Sequence, residues 1–479
     1  MATLHGTLVD AATGAPLDAK VHVLDATGHF RHPPTALLKR GPGVPFFFAC
    51  GHFEVEVPAG RAEVLVERGT EYVPARLTAV APARGAVELE VALQRWYHPQ
   101  ESGWYPGNTH IHYDEKETRP DDRLAVDCSV EGYNVTVVSV LDRRQLPYAS
   151  NKYPIGVMND FTTAHHVLDI GEENRHYGER SPWGIGYGHV MFLNLRNLVQ
   201  PVSRGHTLAA QFDPDYPPLC HCCDEARDQG GLVIWCHNGK GMEAPVAAAL
   251  GKLDAFNLFD PYWTDPEYEL WYRLLDCGLQ LPASTGTDWF VCSNNRVYVQ
   301  ARGAFSYAGW IEGMKAGRTY ITNGPALTLA VDGQPPGAAV RAGGAVEVEV
   351  GVCSHYPVDA VEVIHSGRVA HCEAWPGGRR EARVRCRVAA PADGWIAARL
   401  WGDARDSFGH AVYAHTSPVY LRGGAAPPER PAAASFYLDS IDRSLAWVDS
   451  VGRYNSDAQR QAVRDLFRRA REVFAGLAA

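Results

Sequence analysis

Asn108-Thr109-His110-Ile111-His112 follows directly on the aromatic turn Trp104-Tyr105-Pro106-Gly107. In a β-strand, positions i and i+2 point to the same face, so His110 and His112 share one side of an extended segment. Two neutral imidazole nitrogens converging on one point are the start of a metal site at a strand end. Further along the chain stand residues of matching chemistry. They are Glu173 after Gly171, His189 in Gly188-His-Val-Met-Phe-Leu, His237 after Leu232-Val-Ile-Trp-Cys, and Asp288 in Thr285-Gly-Thr-Asp. Three of these flank apolar runs that read as buried strands, His189 at the start of its run, His237 and Asp288 just past the end. Histidines and carboxylates gathered at strand ends are the pattern of a metallohydrolase.

The region that holds them, residues 98–323, alternates strand-like runs with helix-compatible segments. The runs are Val135-Thr-Val-Val-Ser-Val-Leu, Val190-Met-Phe-Leu-Asn-Leu, Leu232-Val-Ile-Trp and Leu253-Asp-Ala-Phe-Asn-Leu; the helical segments are Cys222–Gln229, Ala244–Leu250 and Glu267–Cys277. Such alternation predicts an α/β domain with a mostly parallel sheet or barrel, in which functional residues collect at the carboxyl ends of the strands. Aromatic residues are dense here, among them Trp183, Tyr187, Trp263, Trp271 and Trp289.

On either side the pattern is β. Residues 1–97 contain period-2 runs such as Leu4-His-Gly-Thr-Leu-Val and Val87-Glu-Leu-Glu-Val-Ala-Leu, and residues 324–422 contain Val346-Glu-Val-Glu-Val and Ala382-Arg-Val-Arg-Cys-Arg-Val. Both read as β-sandwiches. Residues 423–479 read as a linker, Gly423-Gly-Ala-Ala-Pro-Pro-Glu-Arg-Pro, followed by a helical tail. Leu438, Ile441, Leu445 and Val448 form one apolar stripe, and Val463, Leu466, Phe467, Ala470 and Phe474 form another. Ser456-x-x-Gln459 is a capping box opening the second helix. The stripes bury against this chain, the commoner fate of an apolar stripe, or against a partner subunit, so a homo-oligomer through the C-terminal helices is the alternative.

A chain of 479 residues, 46% hydrophobic and 21% charged, has the composition of a multidomain globular protein. Its net charge of −10 gives no electrostatic footprint for nucleic acid. No run approaches the ~18 apolar residues of a membrane span, and Met1-Ala-Thr-Leu-His-Gly has neither part of a secretion signal. The expected compartment is therefore the cytoplasm, and the expected ligand a small-molecule substrate. The 11 cysteines are read as reduced and buried. Cys220-His-Cys222-Cys223 lacks the second pair that a zinc cage needs and reads as buried thiols at a helix start.

The stretch Gly6-x-x-x-Asp10-x-x-Thr13-Gly14-x-Pro16-Leu-x-Ala resembles the opening of carboxypeptidase-regulatory-like sandwiches. The ordered motifs His110-x-His112, Gly-x-Glu173, Gly-His189, Cys-His237 and Gly-x-Asp288 resemble those of the polymerase-and-histidinol-phosphatase (PHP) metallohydrolase superfamily. Gly317-Arg-Thr-Tyr-Ile-Thr-Asn-Gly-Pro, followed by a β domain, is similar to its carbaryl-hydrolase-like (CehA/McbA) branch. The resemblance implies a distorted (β/α)7 barrel between N- and C-terminal β-sandwiches, with one or two divalent ions (zinc, manganese or iron) at its mouth. His110, His112 and Asp288 would bind one ion. Glu173, with Glu172 as the alternative, would bridge to a second held by His189 and His237.

Four positions depart from that pattern. Arg143 in Leu141-Asp-Arg143-Arg144 and Trp289-Phe290 replace common histidine ligands, Asn108 replaces an acid, and Asn257 replaces a frequent glutamate. These losses fall on a third metal position, which favours a one- or two-metal site over a trinuclear phosphatase cluster. Trp289 and Phe290 suit an aromatic or hydrophobic ester, amide or carbamate. Arg143, Arg144, Lys152, Arg175 and Lys240 suit a carboxylate or phosphate, or else are solvated. Asp288, His237 and Arg143 are the candidate catalytic residues, and Trp289, Phe290, Arg175 and Lys240 the candidate substrate contacts. His165, His166, His176 and His221 read as ordinary histidines, with His166 and His176 nearest the pocket. The expected reaction is hydrolysis by a metal-bound hydroxide. A phosphoesterase using the same site and a binding protein with a degenerate barrel are the alternatives. No Gly-x-Ser-x-Gly elbow is present.

Overall fold

The computed structural model describes residues 1–41, 43–143, 146–206, 208, 213–259 and 266–479; Arg144 and Trp263 lie outside them. It is a mixed α/β molecule with seven α-helices and a large curled sheet among the described residues.

The curl is built from the apolar runs of the middle region. Trp104–Ile111 pairs in parallel with Val135–Val140, and that strand in parallel with Val167–His176. Gly188–Leu193 comes next, antiparallel to both its neighbours, Val167–His176 and Leu232–Trp235. Ala255–Asn257 and Ala283–Ser284 continue in parallel. Nearly every residue of these strands is buried, as expected where helices cover the outer face and side chains fill the inner one. Past the last strand the chain returns to the first: Thr287 N and Asp288 N donate to His110 O at 2.8 and 2.7 Å. Thr109 Oγ1 donates to Thr285 O at 3.0 Å beside them. This strap, Thr285–Asp288, brings the two ends of the curl together.

The reversed strand explains an oddity of the sequence. Glu173 and His237 lie toward the carboxyl ends of strands running one way. His189 lies at the start of a strand running the other way. All three therefore stand at the same mouth.

Glu172 and Glu173, the two alternatives for the bridging acid, lie side by side inside the buried strand Val167–His176. The run 253–258 forms only a short strand, Ala255–Asn257. The predicted helices appear as Leu219–Asp228, Ala244–Ala249 and Glu269–Asp276.

Residues 1–93 form a three-stranded and a six-stranded sheet around a core that includes Leu4, Val21, Phe47 and Val64. The C-terminal β region is a separate core around Leu327, Val350, Ile396 and Leu400. Its sheet is continuous with the curl, because Thr319–Thr322 pairs with Arg296–Gln300 on one side and Ala411–Thr416 on the other. Lys20 of the first region and Glu131 of the second form a buried ion pair at 2.8 Å.

The tail folds as helices Arg430–Ser450 and Asp457–Ala478. Ser456 Oγ accepts from Gln459 N, and Gln459 Oε1 accepts from Asn455 N at 2.9 Å, so the capping pair forms with its return bond one residue early. Val463, Leu466, Phe467, Ala470 and Phe474 are buried in the same core as the curled sheet, which satisfies that stripe within the chain. All cysteines are free; Cys220, Cys222 and Cys223 are buried as expected, whereas Cys50 and Cys372 are exposed. No helix among the described residues is long and apolar enough to cross a membrane.

Candidate metal centre

His110, His112, Glu173 and Asp288 bring four donor atoms to one point. His110 Nε2 stands 3.0 Å from His112 Nε2, 3.7 Å from Glu173 Oε2 and 2.9 Å from Asp288 Oδ1. His112 Nε2 stands 3.1 Å from Glu173 Oε2 and 3.6 Å from Asp288 Oδ1. A tetrahedral ion with bonds of about 2.0–2.1 Å spaces its ligands about 3.3 Å apart. The observed separations bracket that value.

The other oxygen of Glu173 faces a second group. Glu173 Oε1 is 2.8 Å from His189 Nδ1 and 3.4 Å from His237 Nε2, which are 2.7 Å from each other. Glu173 thus presents one oxygen to each cluster. Its neighbour Glu172 points elsewhere: its carboxylate accepts from Asn174 Nδ2 and from Val199 N. Alternation along the strand separates the two acids.

Second contacts set the tautomers. His112 Nδ1 donates to Ser139 O at 3.0 Å, which leaves a bare lone pair on Nε2 aimed at the cluster. Lone pairs and carboxylate oxygens packed this closely need a positive charge between them. His110 shows the need: burial alone would lower its pKa, but the Asp288 carboxylate beside it overrides that and raises it well above normal. Burial works against the Glu173 carboxylate too, yet Arg175 and His189 hold its pKa well below the usual range. His189 goes the other way, lowered to about 4 chiefly by burial, so it is neutral and able to donate a lone pair. The buried His110 Nδ1 and His189 Nε2 have no hydrogen-bond partner. The donor set fits one or two divalent ions.

The backbone is strained where the donors sit. His237, Asn238 and Asp288 have φ of 51°, 56° and 60°, a region that costs non-glycine residues about 1–3 kcal/mol each. Asn108 is no ligand. Its Oδ1 accepts from Thr287 N at 3.0 Å and its Nδ2 donates to Thr287 Oγ1 at 2.8 Å, clamping the strap to the first strand.

A cavity of about 550 Å³ opens over the donors. Arg143, Arg175, Lys240, Trp289 and Phe290 all line it, as do Tyr148, Tyr177 and Trp183. Tyr177 carries no signal in the sequence beyond following a strand end, and Tyr148, in the loop between Val140 and Ala149, carries none. Lys152 is exposed and away from the cavity. His166 and His176 do not line it either; His176 is a buried structural residue, 2.8 Å from Asp215 Oδ1 and stacked on Tyr187. Cys236, expected as a buried thiol, is buried and also lies within ligand distance of Glu173 and His237. Its place beside His237 at a strand end was the available signal.

No family model and no curated protein matches the chain. Among solved structures, the chain is similar to a β-glucuronidase of Parabacteroides merdae at 10% identity and a TM-score of 0.17. That comparison covers 86% of this chain and 60% of the other, so the chain spans less than two thirds of that protein's length. A likeness this weak carries no argument about fold or activity.

Proposed function

We propose that this chain is a metal-dependent hydrolase of the PHP type, in its carbaryl-hydrolase-like branch, cleaving an ester, carbamate or amide of a small aromatic or hydrophobic substrate. One observation carries the reading: two donor clusters share the two oxygens of Glu173 on the floor of an aromatic-lined cavity. The seven strands running from Trp104–Ile111 to Ala283–Ser284, with the strap back to His110, support a (β/α)7-type barrel as the scaffold.

His110, His112 and Asp288 would hold one divalent ion and His189 and His237 a second, with Glu173 between them. Such an ion supplies Lewis acidity, lowering the pKa of water from 15.7 toward about 7 and polarising a carbonyl oxygen. The chain's own groups do the rest. Asp288 Oδ1 stands among the donors while Oδ2 turns toward His237 Nδ1 at 3.6 Å, which leaves Oδ2 as the oxygen that would accept a proton from the attacking water. Trp289 and Phe290 exclude solvent from the reacting carbonyl and hold an apolar ring.

Phosphoester hydrolysis is the second reading, favoured by Arg143 and Arg175 in the same cavity. Metal-loaded protein assayed side by side on a naphthyl ester, a naphthyl carbamate and phenyl phosphate separates the two. Turnover of the ester or carbamate that disappears in His237→Ala, with the fold intact, is the expected result. Full activity in that variant overturns the site.

A further inference from the structure

We propose that the cavity above the donors is built for an aromatic carboxylate: its substrate carries an anionic group, held by Arg143, at a distance from the bond to be cleaved. The bond type rests on the hydrolase reading; the anion subsite does not.

Charge comes first. Two carboxylates, Glu173 and Asp288, line the cavity, and both belong to the donor clusters. Ions held there consume that negative charge. What remains on the wall is cationic: Arg143, Arg175 and Lys240. Lys240 has Glu267 nearby at 3.7 Å. Arg175 is 7% exposed; its Nη2 donates to Asp142 O at 2.7 Å and its Nε is buried without a hydrogen-bond partner. Arg143 has no ion pair with any carboxylate among the described residues, and its side chain is exposed at the cavity. A cavity whose loaded charge is positive concentrates anions. A guanidinium with no carboxylate of its own is a ready two-pronged site for one.

Shape comes second. Tyr148 and Phe290 lie with ring planes 27° apart and centroids 6.1 Å apart, and Trp289 stands edge-on to Phe290 at 4.9 Å. These faces suit a flat ring, and about 550 Å³ is room for a two-ring molecule. Arg143 and Tyr148 lie on one loop of the mouth, after Val135–Val140, and Trp289 and Phe290 follow Asp288 on another, so the ring faces come from two loops, one of which also carries the anion site. With Arg175 already engaged by Asp142 O and beside Glu173, Arg143, which has no ion pair among the described residues, offers one guanidinium, a match for the single charge of a carboxylate rather than the dianion of a phosphate monoester.

The test uses the full-length, metal-loaded chain and probes of known chemistry. Binding of 2-naphthoate, 2-naphthamide and phenyl phosphate is measured by calorimetry in wild type and Arg143→Gln, with metal content as the folding control. Naphthoate should bind at least about tenfold tighter than naphthamide, and Arg143→Gln should remove most of that preference. A preference that persists in Arg143→Gln puts the carboxylate on the ions and overturns the subsite. Phenyl phosphate binding tighter than naphthoate, and dependent on Arg143, overturns the carboxylate assignment. Carboxyphenyl acetate and phenyl acetate then separate subsite from reaction. The kcat/KM ratio of the charged to the neutral ester should exceed about ten and fall toward one in Arg143→Gln. Equal kcat/KM for the two esters in wild type overturns the subsite. Cleavage of neither, with Arg143-dependent naphthoate binding retained, overturns the hydrolase and keeps the subsite.

Discussion

Glu173 is the residue on which both donor clusters depend, because one carboxylate oxygen serves each. Glu173→Gln keeps the shape but replaces one oxygen by an amide that cannot ligate as a carboxylate does. Metal measured by plasma mass spectrometry should fall by at least one equivalent per chain. Far-ultraviolet circular dichroism should be unchanged, since the loss is local. His110→Ala removes a donor from one cluster only and should lower metal content by less. Retention of full metal in Glu173→Gln would show that its oxygens are spectators. The chemical identity of the donors was legible from residue type and from the i, i+2 spacing of His110 and His112. Which of two adjacent acids faces the site was not. A strand turns neighbours to opposite faces, and only the pairing of Val167–His176 with its neighbours decides which face is inward.

At the scale of elements, the strap Thr285–Asp288 carries Asp288 to the His-x-His strand, and Gly286 permits the approach. A Cβ at Gly286 would lie 2.7 Å from His110 Cβ and N. Gly286→Ala must push the strap off or move the strand, at a cost of about 1–3 kcal/mol. A lower Tm with metal loss is the expected outcome, checked by thermal denaturation and metal analysis together. A second element contact is tuned by protonation. Asp276, at the end of the helix Glu269–Asp276, accepts from Trp395 Nε1 at 2.7 Å in the C-terminal β region. Burial chiefly raises its pKa from 3.8 to about 6. Because burial disfavours the carboxylate more than the Trp395 bond favours it, Asp276 contributes most to folded-state stability below pH ~4, where the acid is protonated in both states, and that contribution is lost as pH climbs through about 6. Asp276→Asn keeps an acceptor and removes the charge. It should raise Tm by a few degrees at pH 7–8, with the gain shrinking toward pH 4; a gain that is constant with pH would exclude ionisation as the cause.

At the scale of the whole molecule, the C-terminal helices reach into the site's wall. Trp183 lines the cavity, and its Nε1 donates to Ser440 Oγ at 3.2 Å. Trp447 Nε1 donates to Glu179 O at 2.8 Å, and Arg453 pairs with Glu179 at 3.1 Å. Trp447→Ala should loosen this wall without touching a donor, so KM should rise several-fold while metal content holds. An unchanged KM would make the tail a bystander. The apolar stripes of the tail, the alternation of the flanking β regions and the strand runs of the middle region were all readable locally. Each depends only on the 2.0 or 3.6 residue period that puts one face toward a core. The residue types that can hold a metal were likewise determined by the sequence alone. Tertiary structure alone decided that Gly188–Leu193 runs backwards and so delivers His189 to the same mouth as the others. It also decided that the strap brings Asp288 to His110 across 178 positions of chain and that the tail braces a wall of the cavity. Those outcomes follow from how strands pair and where the sheet closes, and such long-range contacts leave no period in the chain to read.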